Sequence, residues 1–174
     1  MSAIQAILPI FQTVVIISLA FVAGIATSLR YWVIPTIMHR ENTSRNEIAQ
    51  FDATIRLGEK YLMPSSRILM ASLLSLAALT ALHPDTAVAA RWKYHAAAGV
   101  VLIQAAWWEI VFIFPINAEV RAMGEKFFGG NGDQSLPEGE QKKLNSLLTS
   151  WNNLHVGRIM TPLLAAIISL AGVI

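Results

Sequence analysis

The chain contains no cysteine, which excludes a disulfide framework, thiolate chemistry, an iron–sulfur cluster and a thiolate zinc site. Charge is also scarce. Asp, Glu, Lys and Arg make up 14% of the residues against 55% hydrophobic ones, and the formal net charge is +2. A mean hydropathy of +0.52 lies well above that of a water-soluble domain, so the sequence reads as an integral membrane protein. It has no stripe of Lys and Arg with interleaved aromatics, so nucleic acid is not an expected partner. It lacks a Gly-x-Gly-x-x-Gly motif after a strand, the fingerprint of nicotinamide and flavin binding, and also any His-x-x-x-His, His-x-His or Glu-x-x-His pair.

What is present is four apolar runs separated by polar stretches. The first extends from about Ile4 to Ala26 and on as helix to Pro35 or His39. No basic residue precedes it and it continues past the small residues Gly24 to Ala26, so it reads as a membrane helix rather than a cleaved leader. Arg30 and Trp32 suit an interface near its end, with Arg30 either snorkelling to headgroups or acting as a buried cation. Ser44-Arg-Asn-Glu47 has capping-box spacing and precedes Ile48, Phe51, Ile55 and Leu62 at helical intervals, with Glu59 on the same face. Pro64 marks a kink or a new first turn of the second span, which ends near Leu82. The loop from His83 to Lys93 is a surface turn, and His83 and His95 belong to that side. The third span, from about Tyr94 to Phe114, carries Gln104, Trp107, Trp108 and Glu109 and ends at the break Phe114-Pro115-Ile116-Asn117. After the breaker Gly129-Gly130-Asn131-Gly132-Asp133, a second capping box, Ser135-x-x-Glu138, opens a helix expected to run unbroken into the fourth span.

The expected fold is all-α: one integral membrane four-helix bundle with spans at about 4–34, 63–82, 94–116 and 154–174, and amphipathic helical extensions before spans two and four. Arg40, Arg45, Arg56 and Lys60 in the first loop region and Arg121, Lys126, Lys142 and Lys143 in the third outnumber Arg91 and Lys93 in the second. The positive-inside rule therefore puts loops one and three in the cytosol.

Four antiparallel spans bring the unusual residues to one end. Trp32, Pro35 and His39 close span one, Glu59 and Tyr61 open span two, Glu109 and Asn117 close span three, and Trp151, His155 and Arg158 open span four. At about 100° per residue, Leu144, Leu148, Trp151, His155, Arg158 and Pro162 share one stripe, which is expected to face inward because a charged Arg at the edge of lipid needs a partner or a wet cavity. Each residue also has a plainer reading. His155 would hydrogen-bond a carbonyl, Glu109 and Arg158 would form a structural ion pair, the Trp residues would anchor the interface, and Asn117 would cap a helix end.

The segments FVAGIATSLRYWVIPTI, GEKYLMP, FIFPINAEV and WNNLHVGRIMTPLLAAI, in this order on four spans, resemble the anthrone oxygenase family of small integral membrane proteins. The most specific features are Pro-x-Asn at Pro115 and Asn117 and Trp-x3-His-x2-Arg at Trp151, His155 and Arg158. The resemblance implies oxidation of a polyketide-derived anthrone to an anthraquinone by O₂.

The residues also suit such chemistry on their own. A benzylic CH₂ vinylogous to a carbonyl needs a base and an oxyanion stabiliser before it can react with O₂. His155 is the expected base, Arg158 and Asn117 the stabilisers and Glu109 the orienting carboxylate, with Trp108, Trp151, Trp32 and Tyr61 stacking on a flat, hydrophobic substrate that arrives from the bilayer. No cofactor is required. An alternative is copper or iron held by His39, His155 and Glu109 or Glu59. A different class is a non-catalytic four-helix protein, an assembly factor or small transporter, with a structural Glu109/Arg158 pair. An enzyme should have a laterally open pocket large enough for three fused rings, whereas a structural protein should have the pair sealed and His155 facing headgroups. The small residues Ala20, Ala23, Gly24 and Ala26 on span one and Ala71, Ser72, Ser75 and Ala78 on span two permit close helix contact within or between subunits, as in a homo-oligomer.

Overall fold

In a computed structural model, which describes residues 3–129 and 136–174, four long helices make up nearly all of the described chain. They are α1 (Ala6–Ile37), α2 (Ser44–Ala81), α3 (Thr86–Phe128) and α4 (Glu138–Ala171), each long and apolar enough to cross a membrane. No strand occurs among the described residues. The protein is an integral membrane four-helix bundle. Each helix packs on its neighbours in sequence, and α4 closes the ring against α1. With 43 residues at about 1.5 Å each, α3 is about 65 Å long against a hydrocarbon core of ~30 Å. One end of the bundle must therefore project beyond the lipid.

Two apolar cores are stacked along the axis. Leu19, Leu73, Leu76, Ala98 and Ala165 fill the apolar half, and Ile34, Phe51, Ile113, Val120, Leu148 and Trp151 fill the projecting half. Surface ion pairs tie the projecting half together. Arg121 on α3 reaches Asp52 at 2.6 Å and Glu59 at 3.2 Å on α2, and Lys143 on α4 reaches Glu119 on α3 at 2.6 Å.

Three helices widen at the junction of the two cores. Leu29–Val33, Gly58–Leu62 and Glu109–Ile113 are π-helical turns, and in each case a proline follows two residues on: Pro35, Pro64 and Pro115. A proline has no N–H and its ring collides with the carbonyl one turn back. Here the residue before the proline bonds five residues back instead: Ile34 to Leu29, Met63 to Gly58 and Phe114 to Glu109. The extra residue in the turn makes room for the ring, so the helices continue. Such widened turns occur disproportionately at functional sites.

This geometry corrects several expectations. Pro115 does not end the third helix, which runs on to Phe128, so Asn117 is a buried mid-helix residue rather than a cap. Thr43, not Ser44, caps α2 by accepting from the Asn46 N–H. The Ser44 hydroxyl instead donates to Gln141 of α4, whose amide also donates to the buried Glu47 at 3.1 Å. Ser135 of the second capping box and Gly130 to Asp133 of the breaker lie outside the described residues. His95, on the side of the short loop as expected, is fully buried in the third helix. Of the small residues, Ala23 and Ala26 are used inside the bundle, whereas Ala20, Gly24, Ala71, Ser75 and Ala78 face outward.

Candidate active site

The stripe on α4 points inward as its period requires. Leu144, Leu148, Trp151, His155 and Pro162 are buried, and Arg158 is mostly so. Arg158 Nε lies 2.7 Å from Glu109 Oε1, with each side chain only 18% exposed. Glu109 begins the widened turn of α3, so the residue expected to neutralise the deep arginine does so. Above the pair, Trp151 donates its indole N–H to Asn117 Oδ1 at 2.9 Å and packs edge-on against Phe51. His155 stacks on Trp151 with 4.3 Å between ring centroids.

On the next face, Trp108 donates to the Leu154 carbonyl at 2.8 Å. Gly157 makes that approach possible, because a Cβ there would fall 2.5 Å from the Trp108 ring. Arg30 is half-buried near the end of α1. It donates to the carbonyls of Asn152 and Asn153 at 3.3 and 3.2 Å and so ties α1 to α4.

Three cavities meet at Glu109, and two of them also touch Arg158. Two hold about 30 Å³ each, and both are lined by Glu109 and Arg158. That is room for a single water. One of them reaches Asn117, Trp151 and Glu59 in the projecting half, and the other reaches Ser66 and Pro162 in the apolar half. The third is larger, about 350 Å³, and opens on the flank between α2 and α3. Met63, Ser66, Arg67 and Met70 form one wall, Leu102, Ile110 and Phe114 the other, and Glu109 lies between them. Its volume is within the usual ligand range of roughly 300–1,000 Å³.

The structure brings together Glu109, Arg158, Asn117, Trp151 and, behind Trp151, His155. It leaves others out. His155 is completely buried, lines none of the three cavities, and has no hydrogen-bond partner on either ring nitrogen. Trp108 is turned towards α4 and borders none of the three. Trp32 is 72% and Tyr61 56% exposed on the outer surface, so the expected stacking platform of four aromatic residues is not assembled. His39 is exposed beyond the end of α1, and Glu59 is held by Arg121. Among the described residues no three His, Asp or Glu side chains gather as a metal-ligand set. His39, His155, Glu109 and Glu59 therefore do not fit copper or iron as a common site.

Sequence reasoning missed the α2 wall. The signal was available: Met63, Ser66, Arg67 and Met70 recur at helical spacing, and Arg67 is a lone charge just inside an apolar run.

The sequence model of a family described as Anthrone oxygenase matches residues 51–168, which is more than half of the chain. The matched stretch includes Glu59, Arg67, Trp108, Glu109, Asn117, Trp151, His155 and Arg158, and leaves out Arg30, Trp32 and His39. No curated protein and no solved structure matches the chain.

Proposed function

The chain belongs to the anthrone oxygenase family, and from that premise we propose that it oxidises the benzylic CH₂ of a polycyclic polyketide anthrone to the carbonyl of an anthraquinone, with O₂ as co-substrate. The observation that carries this reading is the 350 Å³ lateral cavity, whose walls are largely apolar and which is bordered by Glu109, the carboxylate paired with Arg158. A flat, hydrophobic molecule dissolved in the bilayer enters such a cavity without crossing water.

The proton of the carbon acid goes to Glu109, the carboxylate that borders the cavity. As Glu109 is neutralised, Arg158 follows the negative charge onto the oxygen of the anthrone enolate. One ion pair replaces another, so no net charge is created in a low-dielectric site, where separated charges are costly. The electron-rich anion gives one electron to O₂, and the radical pair combines to a peroxide anion on the same carbon, which is then protonated. Loss of the second hydrogen with cleavage of the O–O bond leaves the carbonyl, and the departing oxygen ends as water. All four electrons that reduce O₂ come from the substrate carbon, so the balance needs no further reductant or bound cofactor.

A second reading keeps His155 as the base. Its two ring nitrogens are buried without partners, and a buried polar group in that condition calls for an explanation. This reading requires the Glu109–Arg158 pair to part and Trp151 to move, because the imidazole borders none of the cavities that meet at Glu109.

Arg40, Arg45, Arg56, Lys60, Arg121, Lys126, Lys142 and Lys143 all belong to the projecting half or its loops, which supports placing that half in the cytosol. The test of function is O₂ consumption by the purified chain in vesicles supplied with an anthrone, with quinone followed by absorbance and metal content measured alongside. The expected result is one O₂ consumed per anthraquinone, unaffected by chelators. No substrate-dependent uptake would overturn the oxygenase reading, and loss of uptake on chelation would overturn the cofactor-free mechanism.

A further inference from the structure

Arg67 lies one turn inside the apolar part of α2, and its helical neighbours Met63, Met70 and Ala71 offer no acid. Its nearest polar contact is the Met63 sulfur, 3.6 Å from Nη2. Among the described residues no carboxylate lies within ion-pair distance of it. The side chain nevertheless borders the 350 Å³ lateral cavity, on the wall opposite Ile110 and Phe114. The other charged residue of that cavity, Glu109, is already matched by Arg158. Arg67 is an exposed residue, and it gives this largely apolar cavity one positive charge that no carboxylate of the described residues matches. Solvent or a lipid phosphate serves such a charge while the cavity is empty, and an anionic ligand in the cavity takes their place.

We propose that Arg67 is an anion subsite of the lateral cavity and takes a carboxylate or phenolate oxygen on one edge of the planar substrate while Glu109 and Arg158 act on the opposite edge. The proposal rests on the oxygenase reading and narrows its substrate class to acidic polycyclic phenols, those that carry a negative charge at neutral pH. A guanidinium is suited to the task because its planar fork meets a carboxylate with two parallel N–H bonds. A neutral ring system of the same size would fill the cavity but leave the charge unpaired.

The experiment compares two ligand pairs on the full chain in phosphate-free nonionic detergent. One pair is an anthrone with and without a ring carboxylate, read by O₂ uptake. The other is the unreactive anthraquinone-2-carboxylate and anthraquinone, read by quenching of tryptophan fluorescence. Wild type is expected to favour the acid in both assays by about tenfold to a hundredfold, the value of one charge-assisted hydrogen bond. Arg67→Gln and Arg67→Met lose that preference through a rise in KM and Kd for the acid, and Arg67→Lys keeps part of it. Preference retained in Arg67→Gln or Arg67→Met overturns the subsite.

If the substitutions alter the protein only in phospholipid vesicles and leave acid binding in detergent unchanged, the partner is a lipid phosphate and the substrate subsite is likewise overturned. Tight binding of the quinone acid without O₂ uptake by wild type would remove the oxygenase reading and leave the subsite standing. O₂ uptake without any preference for the acid would do the reverse.

Discussion

Two histidines, at opposite ends of the bundle, are both completely buried, and they are in opposite condition. His95, on α3 near the short loop, has both ring nitrogens engaged, with Gln12 of α1 at 3.1 Å and Ser169 of α4 at 2.8 Å. His155, on α4 near the widened turns, has neither engaged. Burial alone therefore does not mark a functional residue. At the first end every polar partner of the ring is supplied from within the chain, and the ring ties three helices together. At the second, an orphaned imidazole, a charge pair and three cavities converge where three helices have been widened by their prolines. The proposed chemistry falls at the end where the buried imidazole, unlike that of His95, has no partner in its own chain.

That contrast is most severely tested at the ion pair. Arg158→Ala strands the Glu109 carboxylate in a setting that is 18% exposed, and it should cost about 3–5 kcal/mol of stability. Replacing both residues by apolar ones recovers most of the loss. Thermal denaturation in detergent measures both, and a mild Arg158→Ala would show that water reaches the pair freely.

The two histidines can then be exchanged for a residue of similar bulk. His95→Leu leaves Gln12 and Ser169 unpaired, at about 1–3 kcal/mol for each stranded group, whereas His155→Leu removes a group that had no partner and should be close to neutral in stability. Equal losses in the two melting curves would erase the distinction between the ends. At Gly157 an added methyl collides with the Trp108 ring. Gly157→Ala should therefore cost about 1–3 kcal/mol by overpacking and shift the tryptophan emission as the indole loses its bond to Leu154. The smallest effects belong to the outward aromatics. Trp32→Ala and Tyr61→Phe should stay within about 0.5 kcal/mol of wild type and leave O₂ uptake unaltered.

These outward aromatics show where the sequence stopped being legible. The α4 stripe from Leu144 to Pro162 could be read because an unbroken α-helix keeps its period, and the Glu109–Arg158 pairing followed from two buried charges of opposite sign at one depth. Trp32 and Tyr61 are expected at the site only because they lie at its end of the bundle, which does not fix the face they occupy, and each sits inside a π-helical turn. An extra residue per turn advances the face by about 100°, so a projection made on the regular period points the wrong way from there onward. The three prolines that cause the widening were visible, yet proline reads as a helix break when the compensating turn before it cannot be seen. That is why Pro115 was expected to end α3 and Asn117 to cap it. Gln12 could not be matched to His95 because 83 residues separate them and only the closed ring of four helices brings α1 beside α3 and α4. Arg67 does not stand out in the sequence because it lies inside a span rather than at a helix end, and its significance depends on the cavity wall it shares with Met63 and Met70.

The assignment of the proton acceptor is tested most directly by initial rates of anthrone-dependent O₂ uptake in Glu109→Gln and His155→Leu, measured side by side in the same vesicles. With Glu109 as the base, Glu109→Gln loses about 10²- to 10⁴-fold, the usual share of a general base, and His155→Leu stays within about tenfold of wild type. A fully active Glu109→Gln beside an inactive His155→Leu would contradict this account and return the base to the imidazole behind Trp151.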